Sequence, residues 1–155
     1  MLDGSLTDLN LGIICAPSGA GAVLLHGEEH PSAFVVFWAF RPSDGVHSAA
    51  IATFEHCSQS VFGYPNDEAY FAVSGASYGF SEVTGSDWPD RVSAFNRRAF
   101  PDSPSRSDSR HFFMGSHDVS GQFLAKGLTI ELVADGFAEA LRIAVNRISS
   151  NAEEL

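Results

Sequence analysis

Three short polar clusters interrupt apolar stretches of this chain, and they hold the residues best able to move protons. Phe62-Gly63-Tyr64-Pro65-Asn66-Asp67-Glu68-Ala69 sets an amide and two carboxylates side by side, directly after a Gly-Tyr-Pro break that ends any strand or helix. Glu55, His56 and Cys57 precede it, and Ser116-His117-Asp118 lies well downstream. A histidine beside a carboxylate suits general acid–base work, because the carboxylate holds the tautomer and stabilises the imidazolium. His117 is therefore the candidate base or acid, Asp118 its orienting group, and Asp67 or Glu68 the second proton-transfer residue. His56, Tyr64, Asn66, Trp88 and His111 are the candidate substrate-binding residues.

Each of these has a plainer alternative. Asp118 suits an Asx-turn at a hairpin tip, with His117 partly exposed. Asn66 or Asp67 suits the capping of backbone donors, with Glu68 solvated. His56 falls on the same alternating face as Phe54, which predicts an inward ring, and an inward histidine is commonly a hydrogen-bonded core residue. His56, Glu68, His111, His117 and Asp118 supply nitrogen and oxygen ligands of the kind zinc or non-haem iron accepts. Neither HExxH, nor HxHxnE, nor paired CxxC occurs, and the expected chemistry needs no metal and no cofactor. Cys57 is a poor nucleophile candidate, since alternation turns its neighbour His56 to the opposite face.

The elements that must position these groups are short and mostly extended. Leu11 to Cys15 and Ala22 to His26 read as strands around a glycine-containing turn. That turn lacks the third glycine of a dinucleotide fingerprint and any Gly-Lys-Ser/Thr. Ala33 to Arg41 is apolar on both alternating faces, which predicts a central strand covered on each side. His47 to Cys57 alternates, and Tyr78 to Thr84 is a further strand. His111 to Ser116 and Gln122 to Lys126 form a hairpin around His117 to Gly121, followed by a strand over Leu128 to Val133. Ser86-Asp87-Trp88-Pro89 opens a helix with the stripe Trp88, Val92, Phe95 and Ala99. Asp135 is the expected cap of a last helix. Phe100 to Arg110, rich in Pro, Ser, Asp and Arg, reads as a mobile loop. The fold class is α+β: a strongly curved, mainly antiparallel sheet or partial barrel with two covering helices.

Composition bounds the rest. At 155 residues the chain is expected to be a single domain, 1–155, and 45% hydrophobic content with thirteen Phe supplies a core. Nine Lys+Arg against nineteen Asp+Glu give a net charge of -10, which argues against nucleic acid and anionic membrane as partners. Arg91, Arg97, Arg98, Arg106 and Arg110 nonetheless cluster, so a local anion-binding face stays open. Two separated cysteines and no membrane-spanning or leader-like run fit a cytoplasmic location.

Residues 54–126 resemble a group of small bacterial proteins of unassigned activity. The shared features are the FGYPNDEA segment, Tyr78-Gly79 with Glu82-Val83, and a Ser86-x-Trp88 helix containing Asn96. The last is the hairpin His111-Phe112 through His117-Asp118 to Phe123 and Ala125. Members of the group have His-Pro after the first motif and after the helix, where this chain has Tyr70-Phe71 and Phe100-Pro101. The resemblance implies no established reaction, and the exchange of histidine for aromatics implies an aromatic-lined pocket. The expected activity is metal-independent acid–base chemistry on a small organic molecule: isomerisation, cyclisation, elimination or hydrolysis. The alternative is a non-catalytic ligand-binding or regulatory interaction module. A small-molecule ligand and a homodimer are the partners left open.

Overall fold

The computed structural model describes residues 4–16, 21–66, 69–70, 78–104 and 108–150. The described elements run β1 (Ser5–Asp8), β2 (Ile14–Cys15), β3 (Val23–Leu25), β4 (Ala33–Arg41), β5 (Val46–Glu55), β6 (Gln59–Gly63) and β7 (Gly79–Thr84). They continue with α1 (Trp88–Ala99), β8 (Arg110–Ser116), β9 (Val119–Ala125), β10 (Gly127–Val133) and α2 (Phe137–Ser149). The strands form two open, antiparallel five-stranded sheets. One has the order β1-β7-β8-β9-β6; the other is β10-β5-β4-β2, with β3 also paired to β4. The α+β class with two helices is present, built on two open sheets that are not closed into a barrel.

Three strands decide this arrangement, because they are apolar on both faces. Along β4, Ala33, Val35 and Phe37 face the inter-sheet core, while Phe34 and Val36 belong to a second cluster beneath α2. β8 and β9 behave alike: Phe112, Met114 and Phe123 enter the inter-sheet core, and Phe113 and Leu124 are buried on the opposite face. A sheet apolar on both faces must be covered on both. The helices therefore divide, with α2 packing Ala140 and Ala144 on the β4–β5 face and α1 lying against β8. Across the interior Phe54 stacks on Phe123 at 3.7 Å between ring centroids, and Phe37 meets Phe80 edge-on at 5.4 Å. Rings buried this way hold the sheets in register at about 3 to 5 kcal/mol each against truncation to alanine.

Several expectations change in detail. β6 is a full edge strand paired to β9, and the β8–β9 turn is only the two residues His117 and Asp118. Asp135 does not cap α2; Gly136 is the N-cap, at φ 99°, and no side chain bonds to the helix start. On α1 the apolar stripe reaches the sheet only in its first half, and Phe95 is exposed. Among the described residues no helix is long and apolar enough to cross a membrane.

Candidate functional site

The candidate residues fall at three places, all touching the sheet that contains β6. The first is a cleft of about 550 Å³ where the β3–β4 connection meets the β5–β6 connection. Its walls include His26, Glu28, His30, His56 and Cys57. The two connections are tied by backbone and side-chain bonds. The Cys57 N–H donates to the Pro31 carbonyl at 2.7 Å. The His26 ring lies 3.2 Å from the Cys57 carbonyl through Nε2 and 2.7 Å from the Ser60 hydroxyl through Nδ1. A carbonyl only accepts, so Nε2 carries the His26 proton and Nδ1 accepts from Ser60. Both His26 nitrogens are thus occupied, and the ring is a fixed wall.

The other polar groups of the cleft are available to a ligand. His30 Nδ1 lies 3.0 Å from the Ser32 N–H and 3.3 Å from the Ser32 carbonyl; with the shorter bond formed Nδ1 accepts, and the ring proton lies on Nε2, which has no described partner. The ring is held from the side by Phe34, with centroids 5.1 Å apart. Neither His56 nor Glu28 has a partner among the described residues. His56 corrects the inward expectation. β5 ends at Glu55, whose carbonyl accepts the Lys126 N–H, and His56 then takes a left-handed φ of 49° that turns its side chain to solvent. Alternation counted from Phe54 fails because the strand has already ended. Cys57 is buried instead: its thiol bonds to the Gln59 carbonyl, and burial pushes its pKa up to about 12. It is therefore a protonated, inert thiol near neutral pH.

The second place is the far end of β6 and the β8–β9 turn. Gly63 is paired with Ser120, and the Ser120 hydroxyl donates to the Pro65 carbonyl at 2.8 Å. This brings the start of the Tyr64–Asn66 segment to the end of the sheet where His117 turns the chain. His117 has a left-handed φ of 55°, is half-buried, and packs on Tyr78 at 4.9 Å between centroids. Asp118 and Tyr64 are exposed. Asp67 and Glu68 lie outside the described residues.

The third place is the seam beneath α1. His111 is buried, with Nε2 2.9 Å from Gln122 Oε1 and Nδ1 2.7 Å from the Ser86 hydroxyl. With the Gln122 amide oxygen as acceptor, Nε2 carries the proton and Ser86 donates to Nδ1. The Ser86 oxygen in turn accepts the Trp88 N–H, and the Trp88 ring meets His111 edge-on at 4.8 Å. The geometry has the outline of a nucleophile–base pair, but burial pulls the His111 pKa down to about 4. A ring so reluctant to hold a proton is a weak base. Ser86, His111 and Gln122 form a latch that fixes the start of α1 to the sheet, and Trp88 and His111 serve that latch.

The substrate-binding candidates thus divide. Asn66 and Tyr64 lie toward the His117 end, Trp88 and His111 under α1, and His56 at the opposite end of β6. His26, Glu28 and His30 line the cleft but lie outside the three polar clusters that the sequence singles out. Their signature is His26-Gly27-Glu28-Glu29-His30-Pro31, where titratable groups are interspersed with turn-formers at a strand boundary. Among the described residues no three His, Cys, Asp or Glu side chains stand close enough together to hold a metal ion. Comparison with protein-family models, with curated proteins and with solved structures gives no match.

Proposed function

We propose that the protein is a small acid–base enzyme acting on a small polar organic molecule bound in the His26–His30–His56 cleft. One observation carries the reading: an open cleft of about 550 Å³ concentrates His56, Glu28 and the Nε2 of His30, all without partners among the described residues. Buried or surface polar groups normally find partners within the fold or are scattered, whereas convergent polar groups in a concavity are what a ligand site requires. His56 removes a proton from the substrate and returns it at a neighbouring atom, so an isomerisation needs no second proton donor. His30 donates its Nε2–H to the substrate oxygen on which charge develops. The Glu28 carboxylate orients a hydroxyl or ammonium group, which favours neutral or cationic substrates.

A second reading keeps His117 as the acid–base residue. It is favoured by the Ser120–Pro65 hydrogen bond, which draws the Asn66 segment toward the β8–β9 turn. A thermal-shift screen of small hydroxy, keto and amino compounds separates the two. Binders should raise the melting temperature of the wild type and of His117→Gln, and any turnover should fall at least about a hundredfold in His56→Gln. Binding and turnover that survive in His56→Gln with Glu28→Gln, but vanish in His117→Gln, would move the site to the hairpin end.

A further inference from the structure

The C-terminal half of α1 presents an unusual combination for so acidic a chain. Among the described residues there are eight Lys and Arg side chains. Six of them, at 41, 91, 110, 126, 142 and 147, are in ion pairs with carboxylates. The two that are not are adjacent, Arg97 and Arg98, although the chain carries an excess of ten negative charges. Beside them Phe95 is 71% exposed and Phe100 64% exposed. The Arg98 guanidinium lies over the Phe95 ring at 5.5 Å. The helix dipole accounts for cations in a last turn. It does not account for two phenyl rings left in water next to them.

The platform is also held in shape. The Phe100 N–H donates to the Asn96 carbonyl, the Asn96 side-chain amide donates to the Ser103 hydroxyl at 3.0 Å, and the Ser103 N–H returns to the Phe100 carbonyl at 3.0 Å. A small hollow of about 130 Å³ opens between this helix and β6, lined by Gln59, Val92, Asn96 and Pro104 among others. That is room for one side chain. A pre-shaped surface of exposed aromatics and unpaired arginines is the composition of an interaction hot spot.

We propose that this end of α1 docks an acidic, amphipathic segment of another protein. Its carboxylates would meet Arg97 and Arg98, and its apolar side chains would cover Phe95 and Phe100. The charge pattern selects this occupant. A two-fold contact between two copies centred on this end of α1 would set the arginine pair against itself. Anionic lipid and nucleic acid present extended negative surfaces that a net charge of -10 repels and two cations do not offset, whereas a short segment reaches only the local field of Arg97 and Arg98.

The test uses the full chain and a fluorescein-labelled peptide of about fifteen residues, roughly four helical turns. It is built of Glu with Phe and Leu at helical spacing, and a second peptide replaces every Glu by Lys. In fluorescence polarisation at about 0.15 M salt, where charges more than roughly 8 Å away are screened, the Glu peptide should bind in the micromolar range, and the Lys peptide at least about tenfold more weakly. Phe95→Ser combined with Arg98→Gln should weaken the Glu peptide by about tenfold or more, with a melting temperature close to wild type because both side chains are exposed and no charge is reversed at the helix end. Absence of Glu-peptide binding, or binding indifferent to the double substitution, would overturn the proposal. So would sedimentation with phosphatidylserine vesicles that the same substitutions abolish, since the surface would then be a membrane contact.

Discussion

Among the described residues, two of the three non-glycine positions with left-handed backbone are histidines, His56 and His117, and each stands at a chain reversal. Histidine enters this region more readily than most residues, yet strain of about 1 to 3 kcal/mol is normal there and persists only where the surroundings impose it. At His56 the side chain receives nothing in return from the fold: it has no described partner and faces the cleft. The conformation should therefore serve the ligand and not stability. His56→Gly, which relieves the strain, is expected to leave unfolding free energy in urea within about 0.5 kcal/mol of wild type while removing activity. A loss above about 1 kcal/mol would mark His56 as a packing residue. The inward orientation that alternation predicts for His56 shows why such a residue is hard to read from sequence. Period-2 counting holds only while the strand lasts, and nothing in Thr53-Phe54-Glu55-His56-Cys57 marks its end. The actual stop is made by the distant Lys126 N–H and Pro31 carbonyl.

At the scale of elements, β4, β5, β8 and α1 start within one or two residues of where periodicity and punctuation put them. Their apolar patterns are long and unambiguous. β1 and β6 were not legible. Ser5–Asp8 is polar and lies on an edge, where pairing with β7 supplies the structure that propensity does not. Gln59–Gly63 runs into Tyr64-Pro65 and looks like part of a loop until β9 pairs with it. The α1 latch is an element-scale feature with a measurable pH signature. Burial holds the folded His111 pKa at about 4, below the ordinary 6.5 of the unfolded chain. The unfolded state thus binds the extra proton first as pH falls. Stability from this group is complete above about pH 6.5, declines between 6.5 and about 4, and is level below, for a total on the order of 3 kcal/mol. His111→Leu should flatten that slope. It should also destabilise at neutral pH by about 1 to 3 kcal/mol, because Ser86 and Gln122 lose their partner. A slope that survives the substitution would assign the titration elsewhere.

Across the whole molecule the two sheets divide the work. The β4–β5 sheet is closed on both sides, by the inter-sheet phenylalanines and by α2, and contributes to the cleft only through its connections. The other sheet carries nearly everything that resembles a motif, from Phe62 through Ser86 and His111 to Ala125, and spreads it over both its ends and the α1 seam. The sequence clusters were legible as polar interruptions of apolar strands. Which of them share a concavity was not, because that depends on where the β3–β4 connection crosses the start of β6. The central claim is that the cleft is the ligand site. It is tested most directly by NMR of histidine-ring-labelled protein during titration with a compound from the screen. The cleft account predicts that the rings of His30 and His56 shift together and saturate with the thermal-shift binding curve, while His111 and His117 stay fixed. Movement of the His117 ring alone, with His30 and His56 unchanged at saturation, would contradict it.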